Sequence, residues 1–287
     1  MKYLLCALLL ATGALFSTAG AFDRAAHHAE RLELDREAVS VGAYPGRSAA
    51  PIGQTVDNVL ISESVAPATF DQNHADIAAY ADGSFLMVWD DNRNGARKIF
   101  WQRLNSLTQI VDSNVLVAGS IIGANFIDPI IKIDTLLRVH LYYRDQAAGV
   151  IYGTRFHADL TIDLPPFLVN DTSQNSFAGP FDVDIYPDGR AAVVWENYNL
   201  QGSTIAARVI SSTGSFVTGP LTVNSDGGGT SHWVPSVAVE PGAGFLIAWE
   251  DYRNGNADVY AQLYSGTGTK LGGNFAIVPT PNNSFEQ

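Results

Sequence analysis

The chain repeats itself with a period of about 53 residues, and this repeat limits its fold more than any other feature. Each copy holds an alternating apolar segment, a turn and a second apolar segment that ends on an aromatic residue. The aromatic positions are Trp89, Tyr142, Trp195 and Trp249. Another apolar residue precedes each of them by 12 positions, namely Ile77, Ile130, Val183 and Val237. Two spacings kept through four copies predict four equivalent modules, in which the aromatic residues are structural anchors.

Each copy continues with two further segments rich in β-branched and aromatic residues, such as DVYAQLY and FAIVP in the last copy. Asp-Gly, Asn-Gly and Thr-Gly turns separate these segments, as expected for short strands. Four short antiparallel strands, repeated radially, are the plan of a β-propeller blade. We therefore predict an all-β, propeller-like array of four four-stranded antiparallel blades, at about 75–118, 128–170, 181–224 and 235–280. A stack of small β-sandwiches is the alternative, although 53 residues is short for such a module.

The repeat region, residues 53–287, contains more than four blades and fewer than five. A lone strand-like segment near Val56 to Ile61 precedes the first copy. The segment TPNNSFEQ follows the last one, where a fifth copy would begin. We expect an incomplete array, which is either part of a longer protein or an open seam between the first and last blades. A closed ring of four blades is the alternative.

The first 52 residues do not fit the repeat. Residues 1–21 combine Lys2, an apolar stretch and the small-residue site Ala19-Gly20-Ala21, which together predict a secretory signal peptide. Residues 22–52 are typical of a helical or disordered leader and linker. The only cysteine, Cys6, lies in the signal, so the mature chain would have neither disulfides nor cysteine-based zinc sites. We expect a secreted, periplasmic or cell-surface protein.

The composition excludes several classes of protein. The chain has 29 acidic and 17 basic residues and a formal charge of -12, so it has no basic excess with which to bind nucleic acid. Hydrophobic residues make up 46% of the chain, which is too many for a disordered polar chain. After the signal, no segment approaches the roughly 20 apolar residues that a membrane-spanning helix needs.

The last copy shows the repeat most clearly, in PSVAVEPGAGFLIAWE and in WEDYRNGNADVYAQLY. These segments resemble the Trp-anchored β-propeller repeats, of W-[DE]-D-x-R-N-G and V-Y-A-Q type, of large exported bacterial surface or secreted proteins. The resemblance extends over about residues 53–287 and is poorest in the second copy, where Tyr142 replaces tryptophan. It implies a propeller architecture and export, and it brings no catalytic residues with it.

The turns that follow two of the anchors, WDDNRNG and WEDYRNG, are polar. In one interpretation Asp closes the turn on its own backbone, Gly supplies a positive φ and Arg pairs with a carboxylate. In the other, these turns share one face of the propeller with the long interblade links and bind a ligand there. The candidate binding residues are Asp90, Asp91, Arg93, Glu250, Asp251 and Arg253, together with His232 and Trp233 of the last link.

Carboxylates on this face could also bind Ca²⁺, whose ligands are oxygens. The candidates are Asp90, Asp91, Glu250 and Asp251, although the sequence contains no contiguous calcium-binding loop. The fold requires no cofactor, and the six histidines show no metal-ligand spacing. Trp233 could stack on a sugar ring or pack between blades.

No motif in the sequence specifies an activity. The sequence lacks a G-x-S-x-G elbow, a P-loop and a dinucleotide-binding fingerprint. The segment NSDGGGTSHW departs from the Asp-box of sialidases and lies in the wrong turn. Our first hypothesis is a non-catalytic exported propeller that serves as a scaffold or binding module for a protein or a glycan. The alternative is a secreted glycan-active hydrolase or lyase that uses carboxylates on the propeller face.

Overall fold

The computed structural model describes residues 70–93, 95–117, 125–170, 177–199, 202–226, 229–242 and 244–277, which belong to one compact unit. The predicted signal, leader and linker, the lone segment near Val56 to Ile61 and the final TPNNSFEQ lie outside the described residues. Within the described ranges no helix has the length and apolar character that a membrane span requires.

Within the described ranges, sixteen strands form four separate four-stranded sheets, and the strands of each sheet follow one another in chain order. Blade 1 consists of β1 (Gln72–Ala79), β2 (Phe85–Asp91), β3 (Lys98–Leu104) and β4 (Val115–Leu116). Blade 2 consists of β5 (Phe126–Ile133), β6 (Val139–Asp145), β7 (Val150–Phe156) and β8 (Ile162–Leu168).

Blade 3 consists of β9 (Phe177–Ile185), β10 (Ala191–Asn199), β11 (Gly202–Ile210) and β12 (Leu221–Thr222). Blade 4 consists of β13 (His232–Glu240), β14 (Gly244–Asp251), β15 (Asp258–Ser265) and β16 (Lys270–Ala276). All neighbouring strands are antiparallel, which confirms the predicted all-β array of four four-stranded blades.

The first strand of every blade starts a few residues earlier than the sequence pattern indicates, because it contains a β-bulge. In blades 1, 2 and 4 the register shifts between Asn73 and Asp76, between Ile127 and Ile130, and between Trp233 and Ser236. A bulge inserts an unpaired residue and interrupts the two-residue alternation. The residues before the bulge therefore do not continue the apolar pattern by which the strand is recognised.

The core lies in layers between successive blades. In β6, alternate side chains point to opposite neighbours: Leu141 packs in a cluster with Leu86 of blade 1, whereas Tyr142 packs with Val193 and Trp195 of blade 3. A third cluster joins blades 3 and 4 and includes Val194 and Trp249. Each blade is thus buried on both faces wherever it has two neighbours.

The three tryptophan anchors occupy one structural position. Trp89, Trp195 and Trp249 are buried; Trp89 and Trp195 are the fourth residue after the one that opens the hairpin pairing, and Trp249 is the fifth because the pairing of blade 4 begins with one additional pair. In blade 2 that pairing opens at Val139, so the equivalent residue is Tyr143 rather than Tyr142. Tyr142 is also buried but faces the opposite neighbour. The nearly constant spacing of about 53 residues conceals this shift of one residue because both positions carry tyrosine.

Carboxylates link the inner strands of successive blades, between which the described strands form no ladder hydrogen bonds. The backbone N–H of Ile131 donates to Asp76 of the preceding blade at 2.8 Å, and that of Val237 donates to Asp182 at 2.9 Å. Both acceptors satisfy N–H groups that an edge strand would otherwise leave unpaired. The sequence analysis assigned no role to either aspartate.

Blade 4 has an uncovered face. Val259 is 49% exposed, whereas the residues at the same position in the other blades, Ile99, Ile151 and Ile205, are at most 1% exposed. Among the described strands, none of blade 1 pairs with one of blade 4. This arrangement fits the expected open or incomplete propeller.

Candidate functional site

The two polar turns, the inner-strand bulges and the described parts of the interblade links lie at one end of the blades. This follows from the antiparallel order, because the first strand of a blade starts at the end where the second strand finishes. We call this end the loop face. It carries every residue that the sequence proposed for binding.

Near the boundary of blades 1 and 2, the loop face holds a histidine between two carboxylates. His74 lies in the bulge of β1, and its Nδ1 is 2.5 Å from Oδ1 of Asp90. Its Nε2 is 3.4 Å from Oδ1 of Asp128, which lies in the bulge of β5. A carboxylate oxygen accepts hydrogen bonds, so the geometry assigns the proton of the Nδ1 contact to His74. The other ring nitrogen, Nε2, faces Asp128.

Two arginines complete the group, which we call the His74 network: Arg97, Asp90, His74, Asp128 and Arg144. The Arg97 guanidinium donates to Oδ2 of Asp90. Arg144 donates to Oδ2 of Asp128 from Nη2 at 2.7 Å and from Nε at 3.2 Å. The Asp90 side chain is fully buried, whereas the His74 side chain is 45% exposed and that of Asp128 is 15% exposed. The network therefore presents one imidazole and one carboxylate to solvent.

His74 and Asp128 both have left-handed backbones, with φ of 50° and 53°. A non-glycine residue in this region costs on the order of 1–3 kcal/mol, and such residues concentrate at functional sites. The bulge of blade 4 shares the conformation, since Val234 has φ of 47°. Three of the four bulges thus share this strain and blade 3 does not, so the strain alone does not mark a site; blades 1 and 2 differ from blade 4 in carrying ionisable side chains there.

The polar turn after Trp89 is built as the structural interpretation predicts. Asp91 accepts the backbone N–H of Arg93 at 2.7 Å, the Arg93 Nε at 2.8 Å and the Trp89 Nε1 at 3.3 Å. Burial tends to raise the pKa of Asp91, but these hydrogen bonds outweigh it and hold the pKa below its usual value. The turn therefore holds Asp91 and Arg93, which also reach neighbouring strands: Gln72 donates to Asp91 at 3.1 Å, and Arg93 donates to Asn114 at 3.3 Å.

The same turn recurs in blade 4. Asp251 accepts the backbone N–H of Arg253 at 3.0 Å, its guanidinium and the Trp249 Nε1 at 2.8 Å. Burial again favours a higher pKa for Asp251, and the bonds from Arg253 and Trp249 again lower it. Arg253 also lies over the Tyr260 ring, 4.1 Å from the ring centroid.

The four carboxylates proposed for calcium do not form one group. Asp91 and Asp251 pair with arginines of different blades, and Asp90 pairs with Arg97. Glu250 lies opposite Val259 in the β14–β15 ladder, so it belongs to the uncovered face of blade 4. The structure thus separates residues that share one position in the sequence repeat.

His232 lies in a second cluster, with Asp226 and Asp251, whose ligand atoms are within 4.8 Å of one another. Its Nδ1 donates to the Ser203 carbonyl at 2.7 Å, and its Nε2 is 2.9 Å from Asp226. Both oxygens of Asp251 already accept two N–H groups from its own turn, as many as their lone pairs can hold. The cluster therefore ties blade 4 to blade 3 and offers a cation little beyond Asp226 and His232.

Asp226 is the member of this cluster that the sequence analysis missed. Burial raises its pKa, but hydrogen bonds from Thr230 and Asn224 and the charge of His232 lower it to about 2. The available signal was the pair of Asp226 and His232 on either side of the glycine-rich loop of NSDGGGTSHW. No spacing rule for metal ligands or catalytic pairs covers this arrangement.

Trp233 forms the aromatic part of the loop face. Its ring packs against Tyr252 with centroids 4.8 Å apart and planes inclined by 56°. Trp233 is partly exposed, and the adjacent Val234 is 53% exposed. Exposed aromatic faces are suited to stacking on the apolar side of a sugar ring. Both sequence interpretations of Trp233 are therefore met in part, because it packs on one side and reaches solvent on the other.

No family model and no curated protein matches the chain. Solved structures of β-propeller hydrolases do. A thermostable family-43 glycoside hydrolase is 17% identical over 75% of this chain and 79% of its own, with a TM-score of 0.47. An endo-arabinase from Bacteroides thetaiotaomicron is 18% identical over 64% and 72% of the chains, with a TM-score of 0.44. An α-L-arabinofuranosidase from Podospora anserina is 10% identical over 70% and 66%, with a TM-score of 0.45.

This finding corrects our first functional hypothesis. The similar solved structures are glycan hydrolases, which contradicts the hypothesis of a non-catalytic scaffold or binding module and agrees with its alternative. At 18% identity or less, the similarity bears on the propeller fold and transfers no residue roles.

Proposed function

We propose that this protein is a glycan-active hydrolase with its reaction centre at the His74 network. Hydrolysis of a glycosidic bond needs groups that transfer protons to and from water and the leaving oxygen. One observation supports this location above all: the network presents two ionisable side chains to solvent, His74 and Asp128, from two blades and 3.4 Å apart. Other carboxylates of the loop face, such as Asp91 and Asp251, are bound by their own turns.

The surroundings of this pair suit a carbohydrate. Arg144 holds Asp128 through two nitrogens, which fixes the carboxylate in one orientation. Trp233 provides an aromatic surface on the same face. Asp128 stabilises positive charge that develops on the sugar ring in the oxocarbenium-like transition state.

An assay of polysaccharide cleavage tests the proposal. The purified protein is incubated with arabinan and β-1,3-galactan, because the similar structures include an endo-arabinase and an exo-β-1,3-galactanase, and new reducing ends are measured. Asp128→Asn should lower kcat by about 100-fold or more. Asp159→Asn is the control, since Asp159 lies in the β7–β8 turn at the opposite end of the blades. Absence of cleavage, or full activity of Asp128→Asn, contradicts the proposal.

We also propose that the protein is exported, and that its repeats are of the Trp-anchored type found in exported bacterial proteins. The N-terminal pattern of Lys2, an apolar stretch and Ala19-Gly20-Ala21 supports export. Expression in a secreting bacterial host should yield a protein whose measured mass corresponds to a chain that begins at Ala21 or Phe22. Retention of the uncut chain in the cytoplasm would contradict this proposal.

A further inference from the structure

We propose that Phe177 and Tyr198 of blade 3 form an aromatic platform that binds one sugar unit of an uncharged polysaccharide, next to the Asp128 carboxylate. The inference rests on the proposed function, because it assigns a binding position to the glycan that the enzyme cleaves. It is carried by the exposure of the two rings, by their support, by their link to Asp128 and by a comparison among the blades.

The two aromatic residues lie side by side at the loop face. Phe177 is the first residue of β9 and pairs in the ladder with Tyr198, near the end of β10. Directly paired residues lie on the same side of a sheet, with Cβ atoms about 4.5–5.5 Å apart. Phe177 is 45% exposed and Tyr198 is 39% exposed. The pair therefore presents an apolar surface of two rings to solvent.

Each ring is supported by a glycine. A Cβ atom at Gly149 would lie 2.4 Å from Cδ1 of Phe177, and one at Gly179 would lie 2.4 Å from Cε2 of Tyr198. Both rings therefore pack directly on backbone. The Tyr198 hydroxyl also donates to the buried carboxylate of Glu196. These contacts hold the rings in place before a ligand binds, which lowers the entropic cost of binding.

Arg144 links the platform to the proposed reaction centre. Its Nη2 donates to Oδ2 of Asp128 at 2.7 Å, and its Nη1 donates to the carbonyl oxygen of Ala178 at 3.3 Å. Ala178 follows Phe177 in β9. One guanidinium group thus contacts both the carboxylate of the centre and the backbone beside the platform. The proposal places neighbouring units of one polysaccharide chain at these two positions.

The corresponding residues of the other blades show that the fold does not require aromatic side chains at this position. In blades 1, 2 and 4 a backbone hydrogen bond joins them: Asp71 with Asn92, Asn125 with Gln146, and Ser231 with Tyr252. Blade 3 therefore carries two aromatic residues where blades 1 and 2 carry two polar ones. Blade packing does not account for this difference, whereas ligand binding gives a reason for exposing both rings.

The charge of the chain favours an uncharged ligand. With a formal charge of -12, the protein repels acidic polysaccharides. Stacking uses the apolar side of a sugar ring and needs no charge on the ligand. Arabinan or β-1,3-galactan should therefore bind to the platform, whereas polygalacturonate should not.

Affinity electrophoresis of the full chain, in gels that contain each of these three polymers, tests the platform. Phe177→Leu, which keeps apolar bulk on Gly149, and Tyr198→Ala should each weaken binding to a neutral polymer by about tenfold. Tyr198→Phe keeps the ring and should bind within about threefold of the unmodified protein. Circular dichroism verifies that each variant is folded.

Phe216→Ala is the matched control, because Phe216 is 49% exposed in the same blade but follows β11 at the opposite end. It should bind as the unmodified protein does. The inference is overturned if neither neutral polymer binds, if Phe177→Leu and Tyr198→Ala bind normally, if Phe216→Ala loses as much, or if polygalacturonate binds more tightly.

Kinetics separates this inference from the proposed function. With a neutral polysaccharide as substrate, Phe177→Leu should raise KM by about tenfold and change kcat by less than about threefold, because the platform binds substrate and takes no part in bond cleavage. Binding that depends on the platform without any cleavage refutes the proposed function and leaves the platform. Cleavage with an unchanged KM in both Phe177→Leu and Tyr198→Ala refutes the platform and leaves the proposed function.

Discussion

Replacing Trp249 by alanine should remove a large part of the stability of blade 4. The ring is 1% exposed and belongs to the cluster that joins blades 3 and 4. Its Nε1 also donates to Asp251 at 2.8 Å, so the substitution removes a buried hydrogen bond together with the ring. The same side chain therefore supports the blade interface and the polar turn.

The magnitude follows from the buried area. A buried tryptophan removes about 150–250 Å² from water. At about 25 cal/mol per Å² this corresponds to roughly 4–6 kcal/mol. Alanine keeps part of that burial, and large-to-small substitutions of buried aromatic residues lower the free energy of unfolding by about 3–5 kcal/mol. We expect Trp249→Ala to fall in this range and Trp249→Phe, which keeps most of the packing, to lose about 1–2 kcal/mol.

Denaturation by urea, followed by circular dichroism, measures these losses. Trp233→Ala is the control, because Trp233 is partly exposed and packs mainly on Tyr252. It should lose about 1 kcal/mol or less. If Trp249→Ala loses less than about 1 kcal/mol with an unchanged m-value, the ring is not a core anchor and the assignment of blade packing is refuted.

Three further outcomes follow from the structure. Ile205→Ala should lower the free energy of unfolding by about 2–5 kcal/mol and Val259→Ala by less than about 1 kcal/mol, because only Ile205 is covered by a neighbouring blade. Equal losses of the two variants in urea denaturation would show that the face of blade 4 is covered. The pKa of Asp226 lies at about 2 in the folded protein, below its usual 3.8, so its contribution to stability is present above pH 3.8 and is lost as the pH falls towards 2. Asp226→Asn should flatten that part of the acid denaturation curve, and an unchanged curve would contradict the assignment. Ca²⁺ should raise the melting temperature by less than about 3 °C relative to a sample with chelator, since arginines already pair with three of the four proposed ligands. A larger rise that disappears when these four acids are neutralised would support a calcium site at these residues.

Much of the candidate site was not predictable from spacing. The sequence singled out Asp90 as part of a polar turn, but the contacts of Asp90 with His74 and Arg97 depend on how the turn meets the bulge of β1. Asp128 is 54 residues from His74 and meets it only because successive blades are neighbours. No rule for short motifs joins residues at that separation. The same holds for Asp226, which meets Asp251 only through His232.

The sequence by itself determined the blades, because the strands of each blade are close in the chain and pair antiparallel through short turns. It also offered the turn-closing role of Asp91 and Arg93 as one of two interpretations, since a turn closed by its own side chains is a local structure. Only the tertiary structure decided that Tyr143 rather than Tyr142 is the fourth anchor, because a bulge and a hairpin together set which face a residue occupies. It alone placed His74 between two carboxylates of different blades. Contacts between blades depend on the packing of whole sheets, and a linear pattern of residues carries no direct record of that packing.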